Sequence, residues 1–294
     1  IDPIQAMLNP SAPLEAFHMT LAAYEATAFA VVSVYAFAML RGRRDEYVRK
    51  GLKLGMILGT LTAPLQIWVG DVTAKMVAQT QPAKLAAMEG LFQTTRYAPL
   101  TIFGWPDPTT GRVYFVFDVK DLLSLLAFDD ISHPVQGLNT FPAALRPDTQ
   151  IIHPLFDTMV GIGFLLTAFV LWYWYLVLKR RGLPMGKWLL RGLVASGPLA
   201  FLAIEFGWAV TELGRQPYIV YGYMLVKDGV TTAHGLDVSF PTFFILYGLL
   251  GVATVVFLLR LAREKPEESR PRVDLGLIQQ DPEAALEVAR DHAD

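Results

Sequence analysis

The sequence predicts an all-α polytopic membrane protein, with five transmembrane helices and a long extracytoplasmic loop between the second and third. Three observations lead there. The 294-residue chain is 53% hydrophobic and 12% aromatic, with mean hydropathy +0.37, too apolar for a water-soluble domain of this length. It contains five apolar runs near or above the ~20 residues a helix needs to cross a bilayer. Lysine and arginine cluster after the first, third and fifth runs, positions that alternating spans place on one side of the membrane.

The first span runs from Ala12 to Leu40, where Arg41-Gly-Arg-Arg44 stops it. The second, from Leu54 to Gly70, is near the lower length limit for a span. A polar segment follows from Asp71 to about Gln150, carrying Pro, Gly and both signs of charge. Within it, Thr101–Phe103 and Arg112–Phe117 flank Pro-Asp-Pro-Thr-Thr-Gly and predict a β-hairpin. A connection this long between spans is functional or disordered. The third span begins near Ile151 and ends at Lys179-Arg-Arg181; the fourth runs from Trp188 to Leu213. The fifth, Val238 to Leu259, carries no charge, and a charged, solvated tail follows it. The organisation is therefore 1–70 (two spans), 71–150 (loop), 151–262 (three spans) and 263–294 (tail). The positive-inside rule puts the basic clusters and tail in the cytoplasm, and the long loop and the Gly214–Pro217 turn outside.

A net charge of −2 leaves no electrostatic footprint for nucleic acid. With no cysteine, disulfides, thiolate metal sites and cysteine-bound haem are excluded. The chain opens Ile1-Asp-Pro-Ile-Gln5, without Met or a basic n-region, and reads as a piece of a longer protein.

Ionisable groups inside spans are costly, about 2.5–3.5 kcal/mol each at the centre on insertion scales, so each asks for a role. Glu205 and Glu212 are seven apart and share one face of the fourth span. Glu25 has the same relation to His18, roughly 10 Å deeper along the axis. Both Glu25 and Glu205 are candidates for a proton path or for neutral hydrogen-bond partners. His18, in Glu15-Ala-Phe-His-Met-Thr20, either ligates a metal or bonds a neighbouring backbone; Met159 at comparable depth is packing or a soft ligand. Lys84 and Glu89 in the loop read, on pattern alone, as exposed charges on a short helix. His133, His153 and His234 lie in or beside outer loops and read as surface residues; His292 is in the tail.

The stretch Gly207-Trp-Ala-Val-Thr-Glu-Leu-Gly-Arg-Gln-Pro-Tyr218 closely resembles the GWxxxExGRQPY/W signature of subunit I of the cytochrome bd-type quinol oxidases. The resemblance covers the chain as the last five of that subunit's nine membrane helices. It implies that His18 and Met159 are the axial ligands of a low-spin haem b, a six-coordinate type suited to electron transfer. It matches Lys84 and Glu89, in Gln81-Pro-Ala-Lys-Leu-Ala-Ala-Met-Glu-Gly90, to the Lys-x-x-x-x-Glu of the family's quinol-binding loop. A carboxylate there accepts a proton from the quinol hydroxyl, and a lysine stabilises the developing anion. Glu212 is implied at the iron of the high-spin haem site, and Arg215 near haem propionates or capping the helix end. Trp208, Gln216 and Pro217 shape the turn and pack against haem or helix. Two departures stand out: Asp157 occupies a position where some members carry a propionate-facing arginine, and Tyr218 replaces the commoner Trp.

The implied whole is a respiratory terminal oxidase of a bacterial or archaeal cytoplasmic membrane. It oxidises quinol through haem b and reduces dioxygen at a site holding haem d or a second haem b, generating proton-motive force. Implied partners are quinol, dioxygen, oxidase subunit II, a small accessory subunit, and four N-terminal helices of subunit I that this sequence lacks. Two alternatives stay open: a natural half-subunit paired with a separate N-terminal chain, and a haem-free transporter or assembly scaffold reusing these helices.

Overall fold

The computed structural model describes residues 4, 7, 9, 11–180, 182 and 186–263, so the sequence's tail, beyond 263, lies outside the described residues. Five of its helices are long and apolar enough to cross a membrane. Helix α1 (Ala12–Leu40) matches the first span, and α2 is Glu46–Thr80. The loop holds α3 (Pro82–Met88), strands β1 (Leu100–Ile102), β2 (Trp105–Asp107), β3 (Arg112–Tyr114) and β4 (Phe117–Val119), and α4 (Leu122–Phe128). Then come α5 (Thr149–Arg180), α6 (Lys187–Gly214), the hairpin β5 (Tyr218–Val220) and β6 (Met224–Leu225), and α7 (Leu236–Arg263).

The chain divides into two compact units, Ile1–Val230 and a second beginning at Thr231. Among the described residues the second unit is α7 with the few residues before it, and α7 carries no charge from Val238 to Leu259. In the first unit, α1, α2, α5 and α6 share one core of Phe29, Val32, Leu52, Met56, Leu166, Tyr173, Leu193 and Ala200. Because lipid is as apolar as these side chains, close approach and interhelical hydrogen bonds must hold such helices together. Both are present. Ser33 of α1 donates to the Val194 carbonyl of α6 at 2.6 Å, and Trp174 Nε1 of α5 donates to Thr60 Oγ1 of α2 at 2.6 Å. Gly197 permits the first of these contacts, since a Cβ there would lie 2.7 Å from Ser33 Cβ and 3.2 Å from the Phe29 carbonyl oxygen.

The second span differs from its predicted Leu54–Gly70. Asp45 caps α2 by accepting from Val48 N–H at 3.0 Å, so the basic turn with Arg49, Lys50 and Lys53 is helical instead of being connector. At the other end α2 continues ten residues past Gly70, to Thr80, with Asp71 and Lys75 paired one turn apart at 3.3 Å. Its 35 residues reach about 52 Å, well beyond a ~30 Å hydrocarbon layer.

The long loop is folded. A second core of Leu85, Ala86, Ala87, Phe92, Leu123, Ala127 and Val135 joins Ile152 of α5 and Val210 of α6. The predicted hairpin exists with a different pairing. β2 pairs with β3 (Asp107↔Arg112) and β1 with β4 (Leu100↔Val119), in one continuous antiparallel register. The turn fixes it: Asp107 Oδ1 accepts from Thr109 N–H at 2.9 Å, and Gly111 takes a positive φ. Thr101 therefore faces Asp118 and not the Arg112 run, and the ladder breaks at Phe103 and Gly104, which both have positive φ.

Replacing Gly197 with Leu should force α1 and α6 apart and cost roughly 1–3 kcal/mol. A thermal unfolding series in detergent should show a lowered midpoint; an unchanged one would refute the close-packed contact.

Candidate functional site

The short helix α3 starts at Pro82, which fits the first helical turn because its missing N–H has no partner there anyway. It ends in a tight corner: Leu91 N–H donates to the Ala86 carbonyl at 2.9 Å, and Gly90 sits at φ +64°. This geometry lays the helix flat on the ends of α5 and α6. Lys84 and Glu89 are consequently only 6% and 5% exposed, which overturns the reading of them as surface charges. Burial pushes the Glu89 carboxyl up to about 8, and the negative Asp157 nearby adds to the shift. Burial lowers the Lys84 pKa; Arg215 lowers it further, while Glu15 and Glu212 oppose the shift.

Lys84 also meets the end of α6, a neighbourhood the sequence did not reveal. A Cβ at Gly214 would lie 3.0 Å from Lys84 Cγ, so the lysine stem runs over this glycine. Beside it Arg215 forms an ion pair with Glu212, one turn back, while Arg215 Nε is buried without a partner among the described residues. The Gly-Arg-Gln-Pro turn and the Lys84–Glu89 motif, far apart in sequence, form one neighbourhood.

His18 faces α2. Its Nε2 lies 3.2 Å from Gln66 Nε2, its Nδ1 is buried without a partner among the described residues, and Gly70 leaves room beside the ring, an added Cβ there standing 3.7 Å from Cε1. Met159 faces α6, its Sδ so close to Gly207 that an added Cβ would sit at 2.8 Å. Two and four residues on, Gly161 and Gly163 look onto open space. The His and Met helices both pack on α2 and α6. A buried unpartnered imidazole nitrogen, a thioether and small residues beside both are a donor set that fits a haem. Among the described residues no three His, Asp or Glu side chains gather to hold a bare metal ion.

The remaining candidates divide. Glu25 is buried in the helix core, its Oε1 without a partner among the described residues, whereas Glu205 and Trp208 are exposed, Trp208 at 63%. His153, read as a surface residue, is fully buried. Its Nδ1 lies 2.7 Å from the Met88 carbonyl and its Nε2 3.2 Å from that of Phe103. The correction has a physical reason: His153 lies at the start of the third apolar run, and the folded loop closes over it. Asp157 accepts from Phe103 N–H at 2.6 Å and stands 3.6 Å from His153 Nε2. His133 stacks on Phe128, and His234 is exposed.

The family described as cytochrome bd terminal oxidase subunit I matches residues 1–266. This chain belongs to that family. It is 39% identical to the putative cytochrome bd menaquinol oxidase subunit I of Bacillus subtilis (strain 168), across 90% of this chain and 61% of that protein. It is 27% identical to the cytochrome bd-II ubiquinol oxidase subunit 1 of Escherichia coli (strain K12), across 89% and 64%. The solved bd oxidase from Geobacillus thermodenitrificans matches with a TM-score of 0.80 at 38% identity, covering 90% of this chain and 61% of that one. The chain thus spans about three fifths of the length of these relatives.

Glu89 links loop stability to pH. Its folded-state pKa is raised, so its contribution is complete below its ordinary value of 4.5 and is lost as pH rises through about 8. Protection of the α3 amides from hydrogen exchange, corrected for intrinsic rates, should fall across that window in the parent and stay level in Glu89→Gln. Parallel profiles would contradict the burial.

Proposed function

We propose that this chain forms the quinol-oxidising, electron-entry part of a terminal oxidase of the cytoplasmic membrane, with the long loop outside and the basic connections in the cytoplasm. The observation that carries this reading is the joint burial of Lys84 and Glu89 between the Met159-bearing helix and the Glu212–Arg215 end of α6. Family membership favours it over a haem-free transporter or scaffold.

Quinol oxidation releases two electrons and two protons, so it needs a base at the hydroxyl. A carboxyl with a pKa about 8 is a far better base than an ordinary one, and once protonated it remains neutral in its apolar surroundings. Lys84 supplies positive charge for the anion that forms as the proton leaves, at the cost of its own desolvation. His18 and Met159 would hold a low-spin haem b between α1 and α5, and that group supplies one-electron transfer when bound. Glu212 is assigned to the high-spin haem site, where dioxygen is reduced with residues of the longer subunit, and Arg215 to its carboxylate groups. Glu25 and Glu205, on α1 and α6, are the proton-path candidates. Oxidase subunit II and a small accessory subunit complete the assembly.

A reduced-minus-oxidised optical spectrum tests the assignment. The complete oxidase carrying this chain should show a sharp low-spin b band that both His18→Ala and Met159→Leu lose; retention of the band in either variant removes that ligand. Quinol turnover should rise about tenfold per pH unit towards a plateau above pH about 8, because the deprotonated base is the active form. Glu89→Gln should abolish the rise together with most of the rate, and a parental profile would exclude Glu89 as the base.

A further inference from the structure

We propose that His153 and Asp157 act as a hydrogen-bonded clamp that positions Glu89 for quinol, by holding the Met88–Gly90 corner and the Phe103 corner of the loop onto α5. This inference rests on the quinol-oxidising reading above, but it concerns residues outside both sequence motifs.

Two contacts hold the histidine. Nδ1 faces the Met88 carbonyl oxygen at 2.7 Å, and Nε2 faces the Phe103 carbonyl oxygen at 3.2 Å. A carbonyl oxygen only accepts, so a ring N–H donates to the carbonyl it faces. The imidazole is fully buried between the two loop corners. Asp157, one turn further along α5, stands beside it, with Oδ2 3.6 Å from Nε2.

The same carboxylate oxygen accepts from Phe103 N–H at 2.6 Å. Phe103 thus has both backbone groups bound, its carbonyl by His153 and its N–H by Asp157. It also has φ +61°, beside Gly104 at φ +117°. A left-handed Phe is costly and persists where its surroundings over-determine it. At the other corner, His153 binds the carbonyl that directly precedes Glu89, and the ring lies against Gly90. A Cβ at Gly90 would stand 3.5 Å from His153 Nδ1 and Cε1, and 3.0 Å from Val113 Cγ2. One side-chain pair therefore fixes where the Glu89 carboxyl sits relative to α5, which carries Met159 two residues after Asp157.

The test uses the complete oxidase with His153→Leu and His153→Gln. Leucine removes the hydrogen-bonding ring nitrogens; glutamine restores a polar side chain of similar reach. In His153→Leu, kcat/KM for a short-chain quinol should fall roughly ten- to hundredfold. The low-spin b band and oxygen uptake from an artificial one-electron donor should stay at parental levels, and the Phe103 and Leu91 amides should exchange faster. His153→Gln should recover part of the loss; if the leucine variant does not assemble, a fall in kcat/KM in the glutamine variant with an intact b band supports the clamp equally. Parental kcat/KM in either variant overturns the clamp, as does a loss of quinol turnover matched by loss of the b band, which would mark a merely structural histidine. A parent oxidase that does not consume quinol would instead overturn the functional reading on which the clamp rests, a result distinguishable because it needs no variant.

Discussion

The structure depends on the burial of α3 against the ends of α5 and α6. This seven-residue helix hides Ala83, Leu85, Ala86, Ala87 and Met88, and with them two ionisable side chains. Taking a charge out of water costs several kcal/mol even after relaxation, so the burial is tolerable only if the charges are partnered or shed. Glu89 sheds its charge, as its raised pKa requires. Lys84 keeps Glu15 and Glu212 within electrostatic reach. The apolar surface that offsets these costs comes from the loop itself, whose Leu123, Ala127 and Val135 close the second core over Ile152 and Val210. A loop that only covered the membrane helices would not need charged residues underneath it.

The polar groups within the helices follow a related logic. In an apolar layer an unpaired donor or acceptor is expensive, and most are satisfied locally, as Thr60, Thr62 and Thr73 are by their own preceding turns. Among the described residues, the buried side-chain atoms left without a partner include His18 Nδ1 and Gln66 Oε1, together between α1 and α2, and Arg215 Nε at the end of α6 beside Lys84. Gln81 Oε1, Thr167 Oγ1, Glu25 Oε1 and the Tyr173 hydroxyl are likewise without one.

Much of the fold was legible in the sequence because hydropathy reports on depth in a membrane, and the spans corresponding to α1, α5, α6 and α7 begin and end within a few residues of the observed helices. Hydropathy does not report where a helix stops in water. The missed ends of α2 are polar turns held by the Asp45 cap and the Asp71–Lys75 pair, local chemistry that a search for apolar runs passes over. The hairpin was legible as a turn but not as a pairing, because its register was set by the Asp107 side chain and interrupted by two left-handed corners. The site was legible only through its motifs. Nothing in the spacing of Lys84 and Gly214 says that they touch, and nothing in His-Pro-Leu-Phe-Asp says that the histidine is buried, since both follow from how the loop closes.

Asp157 shows what this closure implies for a residue that is anomalous by pattern. A carboxylate where some relatives carry an arginine leaves, on sequence alone, a propionate unmatched. In the folded protein its oxygen is already committed, to Phe103 N–H and to the facing His153 ring. Placing an arginine at 157 would remove the acceptor that holds Phe103 in its left-handed corner. With Asp157 committed to the loop, the positive charge beside the Glu212 end of the bundle falls to Lys84 and Arg215.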